Sequence, residues 1–172
     1  MTKGFIARFT PAEFAATVTD ADYKSMLANG ISVLLFDIDS TLAGHNVPEP
    51  SDDIAVFMRS LPRMGFTVCF ISNNSKERVD SFNRNLGFMA FPRAGKPSTQ
   101  IVHTIAKDLG LKLSQMAIIG DQLFTDIWCG NRAGIHTVLV RPIPGNDPLQ
   151  IRFKRLLECI ILKKINPRNK SN

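Results

Sequence analysis

Five apolar runs recur along the chain, at 32–39 (SVLLFDID), 67–74 (TVCFISNN), 88–91 (FMAF), 116–121 (MAIIGD) and 136–140 (HTVLV). Each is short and rich in branched or aromatic residues, as buried strands are. Between them the apolar spacing changes to three and four residues. Ile54, Phe57, Met58 and Leu61 share one helical face, with Asp52 and Asp53 in a first turn where they suit the helix dipole. A second helix is predicted from about Ser75 to Leu86, stopped by Gly87. A third has Pro97 in its first turn, carries Ile101, Ile105 and Leu109 along one face and ends at Gly110. A fourth runs from about Thr125 to Ala133, ahead of Gly134. Strands alternating with helices predict an α/β domain with a mostly parallel sheet. Trp128, Met116 and the phenylalanines read as core.

A chain of 172 residues suits one domain, 1–172, able to bury roughly 70% of the surface its unfolded form exposes. Cys69, Cys129 and Cys159 stand far apart and form no CxxC pair, so neither a zinc site nor a disulfide framework is suggested, and a reducing cytoplasm is the expected compartment. The N-terminal MTKGFIARFTP has no apolar stretch of signal-peptide length, and nowhere do about 18 uncharged apolar residues run together. The expectation is a protein neither secreted by that route nor membrane-spanning.

The net charge of +6 is unevenly placed. From Pro148 onward seven basic residues face one acid, Glu158, which leaves 14 of each sign for residues 1–147. The body is neutral, and the segment 148–172 is basic and amphipathic.

Polar clusters fall where the predicted strands end: Asp37 and Asp39 after the first, Ser72-Asn73-Asn74 after the second, Gly120-Asp121 after the fourth, with Lys96 just ahead of the third helix. Open parallel sheets bind ligands beyond the carboxyl ends of their strands, so these clusters converge on one edge. A strand period of two puts Asp37 and Asp39 on the same side, where their repulsion destabilises the pair unless a cation or proton sits there. With Asp121 and Asp126 they form a set of hard oxygen donors lacking thiolate, which suits Mg²⁺ better than zinc. Lys96, the Ser72 hydroxyl and the free N–H groups of the helix after Asn74 add features that favour a phosphate.

These residues resemble the motifs of the haloacid dehalogenase (HAD) superfamily: DIDST for its DxDxT, Ser72 in FISNN, Lys96 in GKP, and GDQLFTD for its acidic motif. The resemblance spans roughly residues 30 to 142 and implies a three-layer, Rossmann-like α/β core. It also implies that Asp37 is the nucleophile, Asp39 the general acid and base, and Ser72 and Lys96 phosphate-stabilising partners in catalysis. Mg²⁺ would be held by Asp37, the backbone carbonyl of Asp39 and Asp121, with Asp126 behind them. Thr41, Asn73 and Asn74 are the candidate substrate-binding residues, although turn capping competes for the two asparagines. Asp at position 39 points to the phosphatase branch. Ser40 departs from the commoner Gly or Asn. Only 32 residues separate Asp39 from Ser72 and 23 separate Ser72 from Lys96, too few for a cap domain, so an open site is expected.

The finer pattern FDIDSTL, ISNN, GKP, GDQLFTD and NRAGIHTVLVRPI resembles the YqeG-type, capless IIIA branch, related to phosphatidylglycerophosphate phosphatases. That implies Mg²⁺-dependent hydrolysis of a phosphomonoester through an aspartyl-phosphate, with phosphatidylglycerophosphate at the cytoplasmic membrane face as the first candidate substrate. Soluble sugar phosphates or nucleotides are the alternative, and a non-catalytic RNA- or protein-binding module on the same scaffold is a third. His45, just past the first motif, is a weaker candidate for substrate contact.

In the tail, Leu149, Phe153, Leu156, Leu157, Ile160 and Ile161 follow helical spacing, with Arg152, Lys154, Arg155, Lys163 and Lys164 on the remaining surface. Two readings stand: a last helix packed on the sheet with a solvated basic face, or residues 149–165 lying on an anionic membrane. Nucleic-acid binding is disfavoured because no aromatic interleaving accompanies the charge.

Overall fold

The computed structural model of the protein describes residues 2–45, 47–145 and 149–165. Tail residues Arg168 and Lys170, and the side chains of Arg152 and Lys154, lie outside the described residues.

Six strands form one sheet: β1 (Glu13–Ala15), β2 (Val33–Phe36), β3 (Thr67–Ile71), β4 (Met89–Phe91), β5 (Met116–Gly120) and β6 (His136–Val140). Their spatial order is β1-β6-β5-β2-β3-β4, and every pairing is parallel. The chain leaves β2 toward β3 and β4, then crosses back to place β5 on the other side of β2. This reversal makes the gap between the carboxyl ends of β2 and β5 a switch point, the usual place for a ligand in such sheets.

Seven α-helices accompany the sheet among the described residues: α1 (Thr2–Ala7), α2 (Tyr23–Ala28), α3 (Asp52–Met64), α4 (Lys76–Asn83), α5 (Gln100–Asp108), α6 (Trp128–Ala133) and α7 (Leu149–Ile165). Alternation along the central strands sorts side chains to two faces. Leu34, Phe36, Val68, Phe70, Ala117 and Ile119 pack with Met58 and Leu61 of α3 and Val79 and Phe82 of α4. On the opposite face, Val33, Leu35, Cys69, Ile71, Met116 and Ile118 pack with Val102 and Ile105 of α5 and Cys129 of α6. The result is a three-layer core. One helix joins β2 to β3, and α4 with β4 fill the span to Lys96, so no cap is inserted there among the described residues.

Several element limits differ from the sequence reading. The second helix stops at Asn83, four residues ahead of Gly87. Pro97 lies outside the third helix, which starts at Gln100 after a turn closed by the Ser98 N–H donating to the Gly95 carbonyl at 2.9 Å. The fourth opens as a π-helical turn, Leu123–Ile127, before α6. Edge strand β1 has three residues, too few for a periodic signal. Phe14 and Phe153 are exposed, unlike the core placement expected of the phenylalanines.

Helix α7 packs Ile161, Leu162 and Ile165 against Phe9, Leu123, Ile127 and Leu139, while Leu149, Phe153, Leu156 and Ile160 remain exposed. The packed reading of the tail therefore holds for one face of the helix, and a second apolar stripe is left on the surface.

At Gly130, α6 lies directly against side chains of β5 and β6. A Cβ there would lie 2.3 Å from Thr137 Cγ2 and 2.5 Å from Ile118 Cγ2. Gly130→Ala is therefore expected to destabilise the fold by about 1–3 kcal/mol, as overpacking does. Urea unfolding of the variant measures this, and an unchanged midpoint contradicts it.

Candidate active site

Just past β2, the Asp37 N–H still donates to the Ile119 carbonyl at 3.0 Å, so the residue is held in line with the strand. A tight turn follows, in which the Ile38 carbonyl accepts from the N–H groups of Thr41, Leu42 and Ala43. Ser40 takes φ 63° within it, a left-handed conformation that side chains other than those of Gly, Asn and Asp rarely adopt. That geometry accounts for Gly or Asn being the commoner residue at this position, and Ser40 adopts it as a strained backbone conformation.

The two carboxylates are not left to repel each other. Asp37 Oδ1 accepts from Lys96 Nζ at 2.6 Å, whereas Asp39 accepts from Arg78 Nε at Oδ1 and from Asn74 Nδ2 at Oδ2, both at 3.0 Å. Each acid has its own cation, and Arg78, in the first turn of α4, is the one that sequence reasoning missed. In the sequence it looks like any helix-surface arginine.

Lys96 is buried and bridges Asp37 to Asp126 Oδ1, also at 2.6 Å. Its backbone is clamped by the Asn73 amide, which donates to the Lys96 carbonyl at 2.9 Å and accepts the Lys96 N–H at 2.8 Å. Asn73 thus positions the lysine. Ser72 Oγ accepts the Asn74 N–H at 3.1 Å, and Thr41 Oγ1 donates to Asp121 Oδ1 at 3.0 Å. At the helix start after Asn74, Ser75 Oγ takes up the Arg78 N–H at 3.4 Å. Thr41, Asn73 and Asn74, expected to bind substrate, all have protein partners here.

Asp126 reaches the site because the π-helical turn folds its side chain back over the end of β5. A Cβ on Gly120 would sit 2.3 Å from Asp126 Cγ, so only glycine leaves room for that carboxylate. The Gln122 N–H donates to its second oxygen at 3.1 Å. Arg155 of α7 forms an ion pair with Asp121 Oδ2 at 2.8 Å. This residue, expected on the solvated surface of the tail, instead faces the site.

Asp37, Asp121 and Asp126 are all buried and bring one oxygen each within 4.8 Å of one another. Three carboxylates against Lys96 and Arg155 leave one negative charge in excess. Burial pushes Asp37 up to about 8; Lys96 opposes this, while Asp126 and Asp121 add to it. Burial likewise raises Asp121 to about 6, with Asp126 adding and Arg155 opposing. For Lys96 burial favours the neutral amine, but Asp126 and Asp37 outweigh it and the ammonium is held charged. A cluster of three buried, hard oxygen donors that needs positive charge to ionise fits a divalent cation of the Mg²⁺ type. Asp39 contributes no carboxylate to this cluster. Beside it lies an open cleft of about 290 Å³ lined by Asp37, Asp39, His45, Ser72, Asn73, Asn74 and Gln122.

A HAD-hydrolase-like family model matches residues 93–142. The chain is 30% identical over 157 residues to the probable phosphatase YqeG of Bacillus subtilis, covering 91% of each. It is 29% identical to the chloroplastic/mitochondrial phosphatidylglycerophosphate phosphatase 1 of Arabidopsis thaliana, over 83% of this chain and 44% of that one. The fold is similar to that of the cobalt-bound deoxy-D-mannose-octulosonate 8-phosphate phosphatase of Haemophilus influenzae, with a TM-score of 0.54 and 15% identity over 80% of this chain and 90% of that one.

Asp37, Asp121 and Glu158 all bind a proton more tightly folded than unfolded, with values raised from 3.8, 3.8 and 4.5 to about 8, 6 and 7. Their contribution to stability is complete below the unfolded values and is lost as pH climbs through the folded ones. A cation that holds Asp37 and Asp121 ionised offsets this loss where it is largest. The rise in melting temperature on adding Mg²⁺ in place of chelator is therefore expected to be greater near about pH 8 than near about pH 5. An equal or smaller rise at the higher pH contradicts the charge balance described here.

Proposed function

Because the chain belongs to the YqeG-like family of HAD phosphatases, we propose that it hydrolyses phosphomonoesters with Mg²⁺, Asp37 acting as nucleophile and Asp39 as acid and base. The observation that carries this reading is the meeting of Asp37, Lys96, Asp121 and Asp126 beside an open cleft that Asp39 and Ser72 also line.

Asp37, Asp121 and Asp126 would hold the metal, which supplies positive charge for the ester oxygens and for the carboxylates themselves. An Asp37 oxygen attacks phosphorus as the bond from phosphorus to the ester oxygen breaks, and Asp39 gives its proton to the departing alkoxide. Asp39 then takes a proton from water, whose oxygen attacks phosphorus and frees Asp37. Lys96, fixed by Asn73, keeps a positive charge on Asp37 throughout. The Ser72 hydroxyl retains a proton to donate to a phosphate oxygen. Arg78 and Asn74 hold Asp39 in place, so its protonation goes with exchange of one of these partners for substrate.

A small, water-soluble phosphoester, such as a sugar phosphate, suits the cleft best: Asp39, His45, Ser72, Asn73, Asn74 and Gln122 around it all carry side chains that can hydrogen-bond a hydroxylated substrate. A second reading, a lipid phosphate such as phosphatidylglycerophosphate, is supported by the Arabidopsis relative and by the exposed stripe of Leu149, Phe153, Leu156 and Ile160 on a basic helix, which suits contact with an anionic membrane. No described helix is long and apolar enough to cross a membrane.

Asp37→Asn is expected to abolish turnover with the fold intact, and Asp39→Asn to lower it by roughly 10²–10⁴. A tenth of the activity surviving in Asp37→Asn removes that residue as nucleophile. Chelation abolishes turnover reversibly in this account, and full activity in excess chelator refutes the metal assignment.

Steady-state rates on a panel of sugar, nucleotide and lipid phosphates separate the substrate classes. The polar cleft predicts the soluble esters to be turned over fastest, whereas faster turnover of lipid phosphate in anionic vesicles favours the second reading. Failure on every ester with Mg²⁺ present points to a binding module.

A further inference from the structure

Helix α7 delivers two charged side chains to the loop that carries the acidic residues. Arg155 pairs with Asp121 Oδ2 at 2.8 Å; its side chain is 19% exposed and that of Asp121 is fully covered. One turn on, Glu158 is buried and accepts the Phe124 N–H at 3.1 Å, within the π-helical turn that positions Asp126. The same helix thus holds the segment that supplies two of the three clustered carboxylates. Thr41 already occupies Asp121 Oδ1, so both oxygens of that carboxylate have partners.

A guanidinium and a divalent cation on one buried carboxylate repel each other at short range, where screening by water is weak. We propose that Arg155 competes with the divalent cation for Asp121 and thereby sets the metal affinity of the site and couples metal binding to the seating of α7. The proposal rests on the metal reading of the Asp37, Asp121 and Asp126 cluster. Linkage makes the effect reciprocal: if the seated arginine weakens metal binding, bound metal weakens the seat of the arginine by the same factor. The change falls on the first half of the helix. Leu149, Phe153 and Leu156 are exposed there and add little anchoring, whereas Ile161, Leu162 and Ile165 keep the second half on its apolar cluster. Arg155 is accordingly a positioning residue, acting through Asp121.

The test combines Mg²⁺ titration calorimetry on the full chain with amide hydrogen exchange along 149–157. Arg155→Gln is expected to bind Mg²⁺ at least about fivefold more tightly than the wild type, with Arg155→Lys between them. In the wild type, Mg²⁺ should speed exchange in the first half of α7; in Arg155→Gln, exchange should be fast already and indifferent to Mg²⁺. Unchanged or weaker Mg²⁺ binding by a folded Arg155→Gln overturns the proposal, as does wild-type exchange that ignores Mg²⁺. The wild-type exchange experiment needs no variant, so it decides the matter even if a substitution prevents folding. Wild-type protein that binds no Mg²⁺ at all overturns the metal reading together with this inference. Binding without a response from α7 overturns this inference alone.

Discussion

Burying three carboxylates at one edge of a sheet obliges the rest of the fold to bring positive charge to them. Lys96 is the main answer: it is buried between Asp37 and Asp126 and touches both at 2.6 Å. Isolated, such a lysine would give up its proton; between two acids it keeps it. Much of the surrounding detail serves this contact. Asn73 clamps the lysine backbone, Gly120 leaves space for Asp126, and the turn at Ser40 brings Thr41 under Asp121. Removing Lys96 itself would leave two buried carboxylates without their shared cation, which costs far more than a surface pair contributes.

The charge account also links stability to chemistry. Burial, with the neighbouring carboxylates adding to it, raises Asp37 and Asp121, and the same crowding of buried acids suits the site to a divalent cation. Asp39 stands apart from that cluster, on Arg78 and Asn74, in an open and polar cleft. Two carboxylates two residues apart are thereby given different surroundings, as the proposed division into nucleophile and proton carrier requires.

Much of this edge was legible in the sequence because parallel strands end on one side. Polar clusters after three apolar runs, with Lys96 ahead of the third helix, were expected to converge, and Asp37, Ser72, Lys96 and Asp121 do. The sequence could not reveal which acid takes which cation. Arg78 and Arg155 are partners chosen by tertiary packing, and neither differs in local pattern from a solvated arginine. Asn73 and Thr41 hold the site together rather than facing substrate alone, a distinction that depends on distances of about 3 Å and not on spacing in the chain. The π-helical turn at Leu123–Ile127 carries no periodic signature of its own, yet it decides where Asp126 points.

The central claim is that Asp37, ionised among these charges, forms a bond to phosphorus. The most direct measurement is acid quenching during turnover of an isotopically labelled phosphomonoester, followed by peptide mapping of the trapped protein. The account predicts label on the peptide containing Asp37, dependent on Mg²⁺ and lost on chase with unlabelled substrate. Turnover with no label on that peptide at any quench time, or label on another residue, would contradict it.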